Sequence, residues 1–124
     1  GPEENYCDMH AHTLTGRYKS SAKREYFPYI MPQEHGNHTA CRRLDTGNGL
    51  CFEAEDLFEI NVSRYTAKAL AAAMHTDELR ADGAVHVRVD YKNSGVGSNS
   101  CGPELMEKYR LDEKEISFCF AVSV

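Results

Sequence analysis

The sequence has no tryptophan, no C-x-x-C pair, no H-E-x-x-H and no run of lysine and arginine long enough to grip a phosphate backbone. With 14 Lys and Arg against 19 Asp and Glu the net charge is −5, so no nucleic-acid partner is expected. The longest mostly apolar stretch, Ala67 to Met74, falls far short of the roughly 20 residues that span a bilayer, and the N-terminus lacks the basic-then-apolar plan of a secretion signal. No membrane partner is expected either. The cysteines Cys7, Cys41, Cys51, Cys101 and Cys119 form an odd set, which argues against a disulfide framework and a zinc knuckle. Reduced thiols in a cytoplasmic chain are the simpler reading, with export left open. The pairs His10-x-His12, which would share one face of a strand, and His35-x-x-His38, in a glycine-containing loop, lack a third ligand, so no metal or other cofactor is expected.

What is present is mostly strand-period patterning. Val85, Val87, Val89 and Tyr91 alternate with His86, Arg88, Asp90 and Lys92, the signature of a half-exposed antiparallel strand. Ile116, Phe118, Phe120, Val122 and Val124 alternate with Ser117, Cys119, Ala121 and Ser123, which predicts a strand with one bulky and one small face. Leu50 to Glu55 and Leu57 to Ser63 read as two further strands, with Leu50, Phe52 and Ala54, then Phe58, Ile60 and Val62, facing inward. His38 to Leu44 is a weaker strand before the turn Thr46-Gly47-Asn48-Gly49, and the set pairs as a meander. One helix interrupts it, with Thr66 as N-cap and Ala67, Leu70, Ala71 and Met74 on the buried stripe. Pro28 and Pro32 keep 26–32 extended. The fold class is all-β: an antiparallel sandwich with one short helix, residues 1–124 forming a single segment.

Few residues form a recognisable catalytic pattern. Retaining hydrolysis of a glycosidic bond needs two carboxyl groups about 5 to 5.5 Å apart, and Glu3, Glu4 and Glu34 read better as solvated surface. Cys101 has no identifiable base, and Gly95-x-Gly97 has neither the strand-to-helix switch nor the lysine of a phosphate loop. No catalytic residue is assigned. Tyr26, Phe27 and Tyr29 could offer flat faces to a sugar ring, although aromatics at this spacing more often fill a core. The loop 95–103, rich in glycine and serine, is the kind of segment that carries function.

Several blocks, in order, are familiar. Gly1-Pro2-Glu3-Glu4-Asn5-Tyr6-x-Asp8, Gly16-Arg17-Tyr18, Tyr29-x-x-Pro32-Gln33-Glu34-x-Gly36-Asn37, Ser63-Arg64-Tyr65-Thr66, His75-Thr76-x-Glu78-Leu79, Asp90-Tyr91, Gly95-Val96-Gly97 and Gly102-Pro103 together resemble the closing domain of the β-galactosidases of glycoside hydrolase family 2. The resemblance spans nearly the whole chain. It implies the latter part of a C-terminal sandwich of the galactose-mutarotase-like kind, within a larger enzyme that hydrolyses terminal β-galactosides such as lactose with retention. It also implies that the catalytic glutamates, and the Mg and Na sites, belong to a barrel domain elsewhere in the parent. None of Glu3, Glu4 and Glu34 corresponds to those glutamates.

Part of the family places a tryptophan from the loop Gly-Val-Gly-x-x-x-Trp-x-Pro against the sugar. The matching position here is Cys101, which has no stacking face, so the resemblance leaves Ser98, Asn99, Ser100 and Cys101 as substrate-binding candidates through hydrogen bonds. His35 stands where the family usually has asparagine. The expected role is scaffold and one rim loop, inactive alone, with the parent's other domains as partners and self-association of the isolated segment through uncovered strand edges. The rivals are an independent carbohydrate-binding module using Tyr26, Tyr29 or the 98–101 loop, and a mutarotase-like activity using Glu34 and His35.

Overall fold

The computed structural model describes residues 1–97 and 102–124. Among them four strands, β1 (Asn37–Asp45), β2 (Cys51–Ser63), β3 (His86–Asp90) and β4 (Ala121–Ser123), form one antiparallel sheet, and α1 (Ala67–Ala72) is its α-helix. The all-β antiparallel class with one short helix is thus the class observed. No described helix is long and apolar enough to cross a membrane.

The thirteen-residue β2 organises the sheet. β1 lies along one edge, while β4 pairs with Cys51–Glu53 and β3 with Glu59–Ser63 on the other. The sequence predicts two strands here, and the structure has one. Between Cys41 and Arg43 two residue steps of β1 span five of β2, so the polar stretch around Asp56 is absorbed as a bulge rather than spent on a turn. β1 yields as well: Ala40, between the paired residues His38 and Cys41, has φ 55°. The β1–β2 connection is built as expected. Gly47 and Gly49 sit at φ 75° and 100° in open space, so glycine is favoured there by backbone conformation alone. The Asp45 carboxylate accepts the Gly47 amide at 2.8 Å.

The expected strand at the C-terminus is shorter than its alternation suggests, since only Ala121–Ser123 enters the ladder. Residues 116–120 stay outside the ladder, beside the bulged stretch of β2, but their bulky face is used. Phe118 lies 5.5 Å from Phe120 and 6.1 Å from Tyr91, and Phe120 lies 6.3 Å from Phe52, ring centre to ring centre.

Cross-strand pairs Ile60–Val89, Val62–Val87 and Phe52–Val122 gather the apolar side chains. Phe58 is fully buried, 1% exposed, but Ile60, Val62, Val87 and Val89 are only half-buried. The alternate residues of β2, Glu59, Asn61 and Ser63, are buried. The expected inside and outside of this strand are therefore partly exchanged, because the N-terminal segment and the loop before β1 cover its polar positions.

Thr66 caps α1 as predicted, its Oγ1 accepting the Ala69 amide at 3.0 Å. The buried stripe differs. Leu70, Ala73 and Leu79 form the cluster, with Tyr26 and Tyr65 against it, while Ala67, Ala71 and Met74 are exposed. The helix stops early because the Glu78 carboxylate, from the short 3₁₀ turn Thr76–Glu78, takes the Met74 amide at 2.8 Å.

Two expected outcomes follow from this packing, both read by denaturant unfolding of the chain. Phe58→Ala lowers stability by about 3–5 kcal/mol, since no neighbour can fill the void. Thr66→Ala lowers it by about 1 kcal/mol through the lost cap.

Candidate functional site

The N-terminal residues run across the polar positions of β1 and β2 and turn them into a buried hydrogen-bond network. Asn5 donates its amide to the Asn37 carbonyl at 2.7 Å, and its Oδ1 accepts both the amide and the hydroxyl of Thr39 at 2.9 and 2.5 Å. Asn37, 0% exposed, donates Nδ2 to the Asn5 carbonyl at 3.1 Å and to Glu59 Oε2 at 2.7 Å. Asn93, just beyond β3, closes the set. Its Nδ2 donates to Asn37 Oδ1 at 3.2 Å and to Glu59 Oε2 at 2.9 Å, and its backbone amide reaches the same carboxylate oxygen at 3.1 Å. Burial raises the Glu59 carboxyl above its ordinary value, and the donors from Asn93 and Asn37 offset this only in part.

A second buried carboxylate, Glu4, accepts the Tyr29 hydroxyl and the Gly36 amide, each at 2.6 Å. Its hydrogen bond, then burial, push the Tyr29 phenol up to about 12. Gly36 has φ 76°, and a Cβ there would lie 2.8 Å from the Glu25 carbonyl oxygen, so no other residue fits. Glu25 itself meets His38 Nε2 at 2.6 Å. Burial would raise the Glu25 carboxyl, but the hydrogen bonds from His38 and Ser20 and the charge of His38 outweigh it and hold it below the usual range.

Asp8 stands apart from the network and faces the glycine loop. The Tyr6 and Met9 backbones bond each other at 3.0 and 2.9 Å, and this tight turn projects Asp8 so that Oδ1 accepts the Val96 amide at 3.0 Å and Oδ2 the Gly97 amide at 2.8 Å. A Cβ on Gly95 would lie 2.6 Å from the Asp8 carboxylate, and one on Gly97 would lie 3.1 Å from it. Gly95 donates to the Tyr109 carbonyl at 2.8 Å, and the Leu111 amide bonds Ser94 Oγ at 3.0 Å. The stem leading to 98–101 is therefore held from both sides.

The predicted substrate-binding residues Ser98, Asn99, Ser100 and Cys101 lie outside the described residues. Of the three carboxylates read as solvated surface, Glu3 and Glu34 are exposed, and Glu34 pairs with Arg88 at 2.8 Å. Glu4 corrects that reading: it is 5% exposed, buried because two donors meet it. The histidine pairs do not form as drawn. Residues 7–12 are turns rather than a strand, His10 is exposed, and His12 Nε2 meets the Glu4 carbonyl at 3.2 Å. His35 is buried against Tyr26, Phe27 and Tyr29, with Nδ1 2.7 Å from the Gln33 carbonyl. Glu34 and His35 thus have separate partners and do not form a common acid–base site. Tyr26 packs into the helix cluster, and Tyr29, though 38% exposed, has its hydroxyl tied to Glu4.

Among the described residues no group of three or more His, Cys, Asp or Glu is arranged to hold a metal ion. Cys7, Cys41, Cys51 and Cys119 are free thiols. Burial, with the Glu59 charge, pushes the Cys41 thiol up to about 11, so it carries no thiolate nucleophile at neutral pH. Sequence reasoning missed the buried roles of Asn5, Asn37, Glu59 and Asn93. The signal that could have found them is residue type: the positions of β2 opposite its apolar ones near its end are Glu59, Asn61 and Ser63, not the lysines and arginines of a solvated face.

Comparison with known proteins gives a consistent result. The profile of the family described as beta galactosidase small chain matches residues 1–122. The chain is 40% identical over 120 residues to a beta-galactosidase of Actinobacillus pleuropneumoniae, 32% over 123 to one of Staphylococcus xylosus and 33% over 124 to one of Pseudoalteromonas haloplanktis. These alignments cover 97%, 97% and 99% of this chain but in each case 12% of the relative's length.

Two of the buried carboxyls, Glu59 and Glu25, respond to pH with opposite signs. Glu59 is raised by folding, so its contribution is fully present below the unfolded carboxyl value and is lost as pH rises through the folded one. Glu59→Gln, which keeps an acceptor, is expected to equal wild type in acid and exceed it at pH 7 in urea unfolding, whereas Glu59→Ala loses about 1–3 kcal/mol for the stranded donors. Glu25 is lowered, so its contribution is present above the unfolded value and is lost as pH falls through the folded one. Glu25→Gln should then cost stability at pH 7 and progressively less towards pH 3, read in the same titration.

Proposed function

Since the chain belongs to the beta galactosidase small chain family, we propose that it is the latter part of the C-terminal sandwich domain of a larger, cytoplasmic β-galactosidase. The parent hydrolyses terminal β-galactosides, lactose among them, with retention of configuration. In this division of labour the segment supplies scaffold and a rim loop, 98–101, in which Ser98, Asn99, Ser100 and Cys101 meet sugar hydroxyls. The catalytic carboxylates, and the Mg and Na sites, lie in another domain of the parent.

The observation that carries this reading is the near-complete match to proteins named beta-galactosidase, of which the chain spans about an eighth. The chain's own chemistry agrees. Retaining hydrolysis needs two carboxyls about 5 to 5.5 Å apart, one free to protonate the leaving oxygen and one free to attack. Glu4, Glu25 and Glu59 are each engaged by hydrogen-bond donors, and Glu34 by Arg88. The half-exposed apolar side of β2 and β3 calls for a covering layer, which the rest of the domain provides in the parent and a second copy would provide for the isolated segment.

The test uses both forms. The isolated chain should leave a chromogenic galactoside untouched and should self-associate in light scattering; turnover by the chain alone would sink the proposal. In the parent, replacing Ser98, Asn99 and Ser100 together by alanine should raise KM for lactose about tenfold, the loss of a hydrogen bond or two to the sugar. NMR of the first-formed product should show β-galactose, and α-galactose would refute retention.

A further inference from the structure

A cleft of about 380 Å³ lies where β2 gives way to α1, a volume within the usual range for small-molecule pockets. Local structure builds it. Ser63 Oγ accepts the Tyr65 amide at 3.0 Å and Thr66 caps α1, so the chain turns off β2 and brings Tyr65 and the buried Leu70 to the cleft. β3, an edge strand of the sheet, contributes His86, Val87 and Arg88. Asn61, paired with Arg88 in the ladder, joins them from β2.

The polar groups of the cleft are only half used. Asn61 Nδ2 donates to the His35 carbonyl, His86 Nε2 meets the Asp82 carboxylate at 3.1 Å, and Arg88 Nη2 donates to Glu34 at 2.8 Å. Among the described residues nothing bonds Asn61 Oδ1, His86 Nδ1, the Tyr65 hydroxyl or the remaining N–H groups of Arg88, and none of these atoms is walled off from solvent. The cleft thus offers donors and acceptors side by side. Its charges already have partners: an anion would approach Glu34 and Asp82, and a cation would approach Arg88. A neutral hydroxyl, which donates and accepts at once, suits both kinds of free group, and Leu70 and Val87 suit the C–H groups between hydroxyls.

We propose that this cleft is a binding site for a neutral sugar or polyol of monosaccharide size. The site uses no residue of 98–101, so it stands or falls independently of the rim-loop reading.

The experiment follows hydrogen exchange of peptides covering 61–70 and 84–90 in the parent enzyme during titration with galactose, with glucose and with inorganic phosphate. Either sugar should slow exchange in these peptides in a saturable way, and phosphate should not. Tyr65→Phe removes one hydroxyl and keeps the ring, and should raise the half-saturating sugar concentration about tenfold at an unchanged melting temperature. Ala67, exposed at the lip of the cleft, makes no side-chain hydrogen bond. Ala67→Trp should therefore abolish the protection by filling the space. Protection by phosphate in place of sugar would reveal an anion site and overturn the proposal, and so would sugar protection that survives both substitutions. Absence of any protection in the unmutated parent, the result if another domain fills the cleft, overturns it as well.

Discussion

A carboxylate taken out of water must find donors, and in this chain the Glu59 carboxylate finds three on a single oxygen: one from Asn37 and two from Asn93. That demand ties together three parts of the sequence. Asn37 opens β1, Glu59 lies near the end of β2, and Asn93 follows β3. Asn37 is in turn satisfied by Asn5, which brings the N-terminal residues down onto the sheet. The polar positions of the sheet are therefore closed by hydrogen bonds of fixed geometry, where an apolar layer would have been less selective about register. Burial raises the Glu59 carboxyl against the pull of its donors, so the network fixes the alignment of these segments without a large gain from the charge itself.

Much of the fold was legible in the sequence. The alternation of Val87 and Val89, the Gly47 and Gly49 turn and the Thr66 cap each express a local rule, and each is found where that rule puts it, whereas Val85, expected on the same buried face, lies outside β3 and is 58% exposed. The errors share a cause. Asp56 reads as a break because a charged residue interrupts an apolar alternation, yet β2 continues through it as a bulge, a choice made by the partner strand. Met74 reads as part of a helical stripe, but a carboxylate four residues later takes its amide. Glu4 reads as surface because nothing nearby in sequence reveals that Tyr29 and Gly36 converge on it. The site was less legible than the fold for the same reason: Asp8 meets amides that lie beyond three strands.

The two sides of the sheet thus follow different principles. The polar side is closed within the chain by asparagines and glutamates. The apolar side, with Ile60, Val62, Val87 and Val89 half-buried, is held by cross-strand contact and by the ring ladder of Tyr91, Phe118, Phe120 and Phe52. A segment built this way has fixed internal geometry on one side and an adaptable surface on the other, a combination suited to a piece of a larger assembly.

The long reach of the N-terminal contacts also orders events in time. Asn5 meets Asn37, Asn37 meets Asn93 and Asp8 meets Gly97, across 32, 56 and 89 residues. Loops of that size close slowly and repay their entropy only when both ends are present. During synthesis Glu4 and Asn5 can meet Tyr29, Gly36 and Asn37 once these have cleared the exit, whereas Asp8 has its partners only when residue 97 has. The hairpin of β1 and β2 can form meanwhile, but its buried carboxylate lacks two of its three donors until Asn93 arrives. The sheet is thus assembled from its middle outward, and Asp8 is among the last residues of the segment to find its place.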